Sequence, residues 1–301
     1  MADIRIDRDG AVGVITIDRF RRFNSLDVET ARDLRRAGLQ MARDDEVRAV
    51  VLRGEGGAFC SGADLKYIAA GGTDADLAYL TPADRDIPAG FGERFKQILE
   101  YLHSTISEIR RAPKPVIAAV DGMAAAGGFG LAMSCDLVYA SPRATFEWAY
   151  GKTGLTGAES STFLLPRLIG LRRAMELMLL NPRLAAHQAV DIGLVTAVLP
   201  ADGFDRHVMA TAHALAAGPT RAFATAKALL NQAAGIDRLD FHLDQELQHL
   251  ARSADSPEFH EGLRAFFEKR VPVFSASARV VDSASSGETS PKPLRGGGGH
   301  A

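Results

Sequence analysis

Four glycines, Gly122, Gly127, Gly128 and Gly130, stand in the stretch PVIAAVDGMAAAGGFGLAMSCD, directly after or beyond the apolar run 116–120. A strand that feeds a glycine-rich turn opening a helix exposes backbone N–H groups and the positive end of a helix dipole, which is chemistry suited to an anion. Neither common phosphate loop fits. Gly128 and Phe129 stand where a P-loop needs Lys and then Ser or Thr, and no G-x-G-x-x-G occurs. Close helix-to-sheet packing would account for one or two such glycines and less readily for four. A second small-residue stretch, GEGGAFCSGADLKYI at residues 54–68, follows the apolar run 49–52. Ser61, Gly62 and Ala63 permit a close backbone approach there, Asp64 can cap a helix, and Lys66 offers a charge. Two strand ends with exposed N–H groups can converge on one oxygen, the geometry of an oxyanion hole.

The elements that must position these segments are legible as short Val- and Ile-rich runs bounded by Gly, Asp or Pro, at residues 4–6, 12–17, 49–52, 116–120 and 136–140. Between them, residues 28–44 and 92–111 carry apolar side chains at spacings of three and four, which predicts helices. Strand and helix in alternation imply an α/β sheet layered with helices. From residue 172 onward strand signals nearly vanish, and 172–180, 185–192, 204–217, 221–233, 239–251 and 257–269 read as helices, the last with Ser256 as N-cap and Pro257 at its first position. Residues 70–90, with GG, two prolines and several Asp, read as a mobile loop beside the site. The Ser-, Gly- and Pro-rich segment 275–301 reads as a disordered tail.

Composition narrows the function classes. The 301 residues are 47% hydrophobic and 24% charged, ordinary for a soluble globular chain. With 35 Lys and Arg against 37 Asp and Glu, the formal charge of −2 creates no field for nucleic acid or an anionic membrane, so any anion must be met by a few placed residues. No apolar run approaches the roughly 20 residues of a membrane span. Cys60 and Cys135 have no ligand spacing, and MADIRIDRDG lacks signal-peptide order, which makes a reducing cytoplasm the expectation. His187, His207, His213, His242, His249 and His260 form no ligand motif, so no metal site is expected, and no GxSxG elbow accompanies Ser160 and Ser161.

Taken together, RFNSL (22–26), FCSGADLK (59–66), KPVIAAVDGMAAAGGFGLAMSCD (114–136) and AFFEKR (265–270) resemble the crotonase superfamily of enoyl-CoA hydratases and isomerases, in the right order over roughly residues 3–274. The resemblance implies a crotonase-like core of stacked ββα units over 1–200, a helical C-terminal trimerisation region over 201–274, and homotrimers or hexamers built as dimers of trimers. It implies an acyl group carried as a coenzyme A thioester, with no prosthetic group. By the same resemblance, the N–H groups of Ala63 and Gly127 would hold the thioester oxygen as enolate charge develops. Arg22, Ser25, Ser61, Ala63, Asp64, Leu65, Lys66, Phe266 and Lys269 match the positions that contact coenzyme A.

The pattern breaks at the acid–base groups. The two glutamates of a typical hydratase correspond to Gly130 and Tyr150. Residues 143–181 are similar to the aroyl-CoA dehalogenase branch, which also has Gly at the first position, yet the aspartate nucleophile of that branch corresponds to Ala158. Glu159, one residue on, is the only carboxylate of its loop, and either proton transfer or helix capping would suit it. Tyr150 either orients or protonates substrate or shapes a pocket for a ring. His103 matches a histidine of the dehalogenase branch near the acyl pocket, with a structural role as the alternative, and Glu147 remains unplaced. The expected function is addition of water to an unsaturated acyl-CoA, a cyclic or aromatic acyl group included, through a thioester enolate held in the oxyanion hole. The alternatives are isomerisation, hydrolysis, dehalogenase-like chemistry or acyl-CoA binding without catalysis.

Overall fold

The computed structural model of the chain describes residues 3–73 and 90–274. Among the described residues, ten strands form two sheets: β1 (Ile4–Asp9), β2 (Val12–Ile17), β3 (Ala49–Gly54), β4 (Ala58–Cys60), β5 (Val116–Val120), β6 (Met123–Ala125), β7 (Leu137–Ala140), β8 (Thr145–Glu147), β9 (Leu184–Ala185) and β10 (Ala197–Val198). The larger sheet has the order β1-β2-β3-β5-β7-β10 and the smaller β4-β6-β8-β9. Within the larger sheet β1 is antiparallel to β2, and every later neighbour is parallel. Each successive pair, β3 with β4, β5 with β6 and β7 with β8, gives one strand to each sheet, so the chain climbs as a stack of ββ units.

Period-two burial explains why the larger sheet is covered on both faces. Val12, Val14, Ala49, Val51, Ile117 and Ala119 face outward against Phe204, Val208, Ala212 and Ala216 of helix 204–217, whereas Ile15, Ile17, Val50, Leu52, Ala118 and Val120 face the central core. The central core also takes α1 (Val28–Arg43), whose N-cap Asp27 accepts from the Thr30 N–H at 2.9 Å. The helices that follow are α2 (Leu65–Ala70), α3 (Phe91–Arg111), α4 (Gly127–Ser134), α5 (Ser161–Ile169), α6 (Leu171–Leu180), α7 (Ala186–Asp191), α8 (Phe204–Ala217), α9 (Thr220–Ala233), α10 (Leu239–Ala254) and α11 (Pro257–Glu268). The apolar stripe of α3, with Phe95, Ile98, Leu99, Leu102 and Ile106, is buried as its spacing predicts, and α3 packs against both α1 and α10.

Two expectations need correction. Strand structure persists past residue 172, because β9 closes the small sheet beside β8 and β10 closes the large one beside β7; each has two residues, too few to show a period. The helices beyond residue 200 are more than an appended oligomerising region, since α8 covers the large sheet and α10 packs on α3. Most of the loop expected at 70–90, together with the tail 275–301, lies outside the described residues.

Candidate active site

Both small-residue segments end beside one cavity of about 430 Å³. The first contributes Ser61 and Ala63 from the turn after β4. Here Leu26 forms a parallel bridge with Ala63, giving its N–H to the Gly62 carbonyl at 2.8 Å and accepting from the Asp64 N–H at 2.8 Å. That pattern uses the groups on either side of Ala63 and leaves its own N–H on the opposite side of the strand, and Ala63 lines the cavity. The second segment contributes Gly127, the first residue of α4, whose N–H has no partner within the helix. The turn before it holds Ala126 at φ 47°, a left-handed value that costs a non-glycine residue energy. The two segments touch. A β-carbon on Gly62, which has φ 88°, would lie 2.9 Å from the Gly127 nitrogen.

The other glycines of the second segment have packing reasons. A β-carbon at Gly122 would meet the Gly57 carbonyl oxygen at 1.9 Å, one at Gly128 the Cys60 carbonyl oxygen at 2.0 Å, and one at Gly130 the Glu159 carbonyl oxygen at 2.2 Å. Of the four, Gly127 is the one that lines the cavity, and packing accounts for the other three, more than sequence reasoning allowed.

Glu159 closes the far side of the pocket. Its residue is only 3% exposed, and a β-carbon on Gly127 would lie 3.0 Å from its Oε1. The Tyr150 hydroxyl donates to its Oε2. Burial, followed by the nearby Glu246 charge, pushes the Glu159 carboxyl well above the usual carboxylate range. The capping role weighed for Glu159 falls to another group: the N-cap of α5 is Ser160, and the Ser160 N–H donates to Glu246 at 2.8 Å. Tyr150 opens a 3-10 turn and packs at 5.1 Å, ring centre to centre, on Trp148.

His103 is not in the pocket. It is buried behind the loop, where its Nε2 accepts from the Glu159 main-chain N–H at 3.1 Å. Burial, then the neighbouring His242, lowers its pKa to about 3, which keeps Nε2 free to accept. Its reach is therefore to the backbone of Glu159, and the direct acid–base role considered from sequence has no geometric support among the described residues.

Of the residues expected at coenzyme A, Arg22, Ser25, Ser61, Ala63, Asp64, Leu65, Lys66 and Phe266 line the cavity, while Lys269 caps α11 in left-handed backbone outside it. Arg22 is committed to an internal ion pair, its Nη2 lying 2.5 Å from Oδ1 of the buried Asp64. Asp64 also takes Arg19 at 3.0 Å and caps α2 through the Lys66 and Tyr67 N–H groups. Burial alone would raise the Asp64 carboxyl, but the Arg22 bond, the Tyr67 N–H and the charges of Arg22 and Arg19 hold it below its ordinary value. Arg21 and Lys66 line the same mouth with no carboxylate partner among the described residues. Sequence reasoning missed Arg21, although it adjoins the matched RFNSL segment. It also left Glu147 unplaced; the structure buries Glu147 in the cavity wall, paired with Lys152 and, at 3.0 Å, with Arg183.

The sequence profile of the enoyl-CoA hydratase/isomerase family matches residues 7–87 and 90–277. The chain belongs to this family. Among enoyl-CoA hydratase/isomerase relatives, it is 33% identical over 279 residues to 4-chlorobenzoyl coenzyme A dehalogenase-2 of an Arthrobacter species, covering 93% of this chain and 94% of that one. It is likewise 33% identical over 266 residues to the 1,2-epoxyphenylacetyl-CoA isomerase of Escherichia coli K12, covering 88% and 95%. The crystal structure of an enoyl-CoA hydratase from Mycobacterium avium subsp. paratuberculosis K-10 superposes with a TM-score of 0.78 at 32% identity, over 91% of this chain and 99% of the other. The mixed α/β fold with a helical C-terminal region is that of the crotonase-like enzymes, and the chain is an acyl-CoA processing enzyme of that family. Among the described residues, no helix is long and apolar enough to cross a membrane.

Proposed function

We propose that the enzyme adds water to an unsaturated acyl-CoA, with the thioester oxygen held between the Ala63 and Gly127 N–H groups and Glu159 moving the proton. The observation that carries this reading is the Glu159 carboxyl lying against Gly127, at the side of the pocket where an enolate oxygen would be held. As the water oxygen bonds to the β carbon, the π electrons move onto the thioester oxygen, where fixed N–H dipoles in a dry site stabilise them. Glu159 takes the proton released by water and delivers one to the α carbon, restoring the carbonyl. Burial raises the Glu159 carboxyl well above the usual carboxylate range, which suits a group that must both take and deliver a proton. The Tyr150 hydroxyl orients it. Nothing in this cycle calls for a prosthetic group.

Arg21 and Lys66, without carboxylate partners among the described residues, are the cations that would meet coenzyme A phosphates, and Phe266, 54% exposed at the rim, would cover the adenine end. An exposed apolar stripe on α6, with Leu171, Met175 and Leu179, together with Leu229 and Leu230 of α9, supports assembly into homotrimers or hexamers. Two free, buried cysteines suit a reducing cytoplasm.

Isomerisation is the second reading, supported by the Glu159 carboxyl beside Gly127, which can take a proton from one carbon and return it to another. Ala158 carries no nucleophile, so attack on a ring from that position has no support. A panel of acyl-CoA thioesters read by mass spectrometry separates these outcomes: hydration adds the mass of water, isomerisation in D2O exchanges hydrogen without adding it, and hydrolysis or dehalogenation releases free coenzyme A or halide. Glu159→Gln should abolish turnover and leave binding intact. Binding without turnover across the whole panel would overturn the enzymatic reading.

A further inference from the structure

The loop that carries Glu159 runs through Gly157 at φ 89°, Glu159 at φ 53° and Ser160 at φ 61°. Two consecutive non-glycine residues in left-handed backbone are costly, and such a turn persists only where its surroundings over-determine it. Its donors show what does so. Glu246 of α10, 4% exposed, accepts from the Ser160 N–H at 2.8 Å through Oε2, and from the Thr162 N–H at 2.9 Å and the Thr162 hydroxyl through Oε1. His103 of α3 accepts the remaining donor, the Glu159 N–H. Leu250, one helical turn beyond Glu246, lines the cavity, so this face of α10 reaches the site itself.

We propose that Glu246 is a positioning residue for Glu159: its carboxylate, projected from the C-terminal helical region, fixes the left-handed turn from which the Glu159 side chain enters the cavity. The proposal rests on the role given to Glu159 above. Replacing a backbone partner by a carboxylate from a distant helix ties the set of the acid–base group to the seating of α10 on α3. Four titratable groups meet here, three of them buried. His103 Nε2 lies 4.0 Å from Glu246 Oε2, His242 Nε2 lies 3.8 Å from Oε1 and 2.8 Å from the Thr162 hydroxyl, and Glu159 feels the Glu246 charge across the loop. His242 and His103 are both shifted toward the neutral form, chiefly by burial. The negative charge of Glu246 is thus met by N–H and O–H donors rather than by a cation.

The test is Glu246→Gln, with Glu159→Gln and Thr162→Val beside it, each followed by kcat, KM and the pH–rate profile on the acyl-CoA that the panel identifies. Gln keeps the shape of Glu246 but offers an amide to one of the N–H donors, so kcat should fall about 10- to 100-fold with KM little changed. Loss of the charge also removes one of the two causes that raise the Glu159 carboxyl, and the limb that reports Glu159 should move to lower pH. A merely structural role for Glu246 would not move that limb. Thr162→Val removes one donor without emptying the site, and should lower kcat severalfold; this reading stands if Glu246→Gln does not fold. Full activity in Glu159→Gln would overturn the assignment of Glu159 and the inference with it. A dead Glu159→Gln beside Glu246→Gln and Thr162→Val enzymes with unchanged kcat and an unmoved limb would overturn the positioning role alone.

Discussion

Gly130 and Glu159 are in main-chain contact: a β-carbon on Gly130 would lie 2.2 Å from the Glu159 carbonyl oxygen and 2.8 Å from its Cβ. The position at which a typical hydratase of this fold carries its first glutamate is therefore filled, in this chain, by the backbone of the loop that presents Glu159. Absence of a side chain at 130 and presence of a carboxyl at 159 are two sides of one packing arrangement.

Restoring a carboxylate at 130 should consequently fail to add a base. Gly130→Ala gains about 1 kcal/mol of helix propensity, but the clash is with backbone rather than a flexible side chain, and overpacking of this kind costs about 1–3 kcal/mol. Both Gly130→Ala and Gly130→Glu should lower the thermal midpoint and cut kcat/KM at least tenfold by displacing Glu159. Differential scanning calorimetry and steady-state kinetics check this. A Gly130→Glu enzyme as stable and active as its parent would mean that the loop yields at no cost.

Tyr150→Phe isolates the other contact of the Glu159 carboxyl. The phenol donates to Oε2 where both residues are buried, and donation favours the ionised carboxylate. Its loss should lower kcat about 10- to 100-fold, the worth of a hydrogen bond to a charged group. The pH limb assigned to Glu159 should move to higher pH, opposite in sign to the shift expected for Glu246→Gln. Equal pH profiles for Tyr150→Phe and parent would remove Tyr150 from the proton path.

His103 gives a stability prediction with a definite sign. Burial and His242 lower its folded-state pKa from 6.5 to about 3. The unfolded chain binds this proton first as pH falls, so stability fully present above pH 6.5 is lost between 6.5 and about 3, at about 1.4 kcal/mol per pH unit. Glu246 opposes this. Burial raises it from 4.5 to about 7, outweighing its three hydrogen bonds, so its contribution is full below 4.5 and lost as pH rises to about 7. The difference between parent and His103→Gln cancels most of the Glu246 contribution, and the variant should lose less stability on acidification from pH 6.5 to 4 in urea melts. Parallel pH curves for the two proteins would show that His103 is not held neutral.

How far the sequence discloses this architecture depends on length and on backbone. Residues 12–17 are a Val- and Ile-rich run over six positions and residues 92–111 repeat over several turns, so both elements are readable, and the structure places them at Val12–Ile17 and Phe91–Arg111. The second sheet is built from Ala58–Cys60, Met123–Ala125 and Thr145–Glu147, three residues each, and no period can emerge from three. Ala63 and Gly127 are approachable from sequence because N–H groups need only small residues around them. Glu246 is not: within LDFHLDQELQHLARSA it reads as one more polar residue on a helix, and its partners lie more than 80 positions away in a left-handed turn that no residue type announces. Arg22 shows the converse, since a matching position gives the residue type but not its pairing with Asp64.

That pairing separates the cations at the cavity mouth. Arg22 holds a buried carboxylate, and Arg22→Ala would leave Asp64 with Arg19 as its remaining guanidinium, a loss that should appear chiefly as a lower thermal midpoint. Arg21 and Lys66 hold no carboxylate among the described residues, and their truncation should leave the thermal midpoint unchanged. Each should weaken coenzyme A binding about two- to fivefold, the scale of an exposed charge contact of up to about 1 kcal/mol. The effect should shrink as ionic strength rises from 0.05 to about 0.5 M, because the screening length falls to a few ångströms. Isothermal titration of coenzyme A at the two salt concentrations, run beside thermal melts, reads both quantities on the same proteins. If Arg22→Ala weakened binding at an unchanged midpoint while Arg21→Ala and Lys66→Ala did nothing, Arg22 would have to leave Asp64 when ligand arrives, and the division of labour drawn from the ion pair would be wrong.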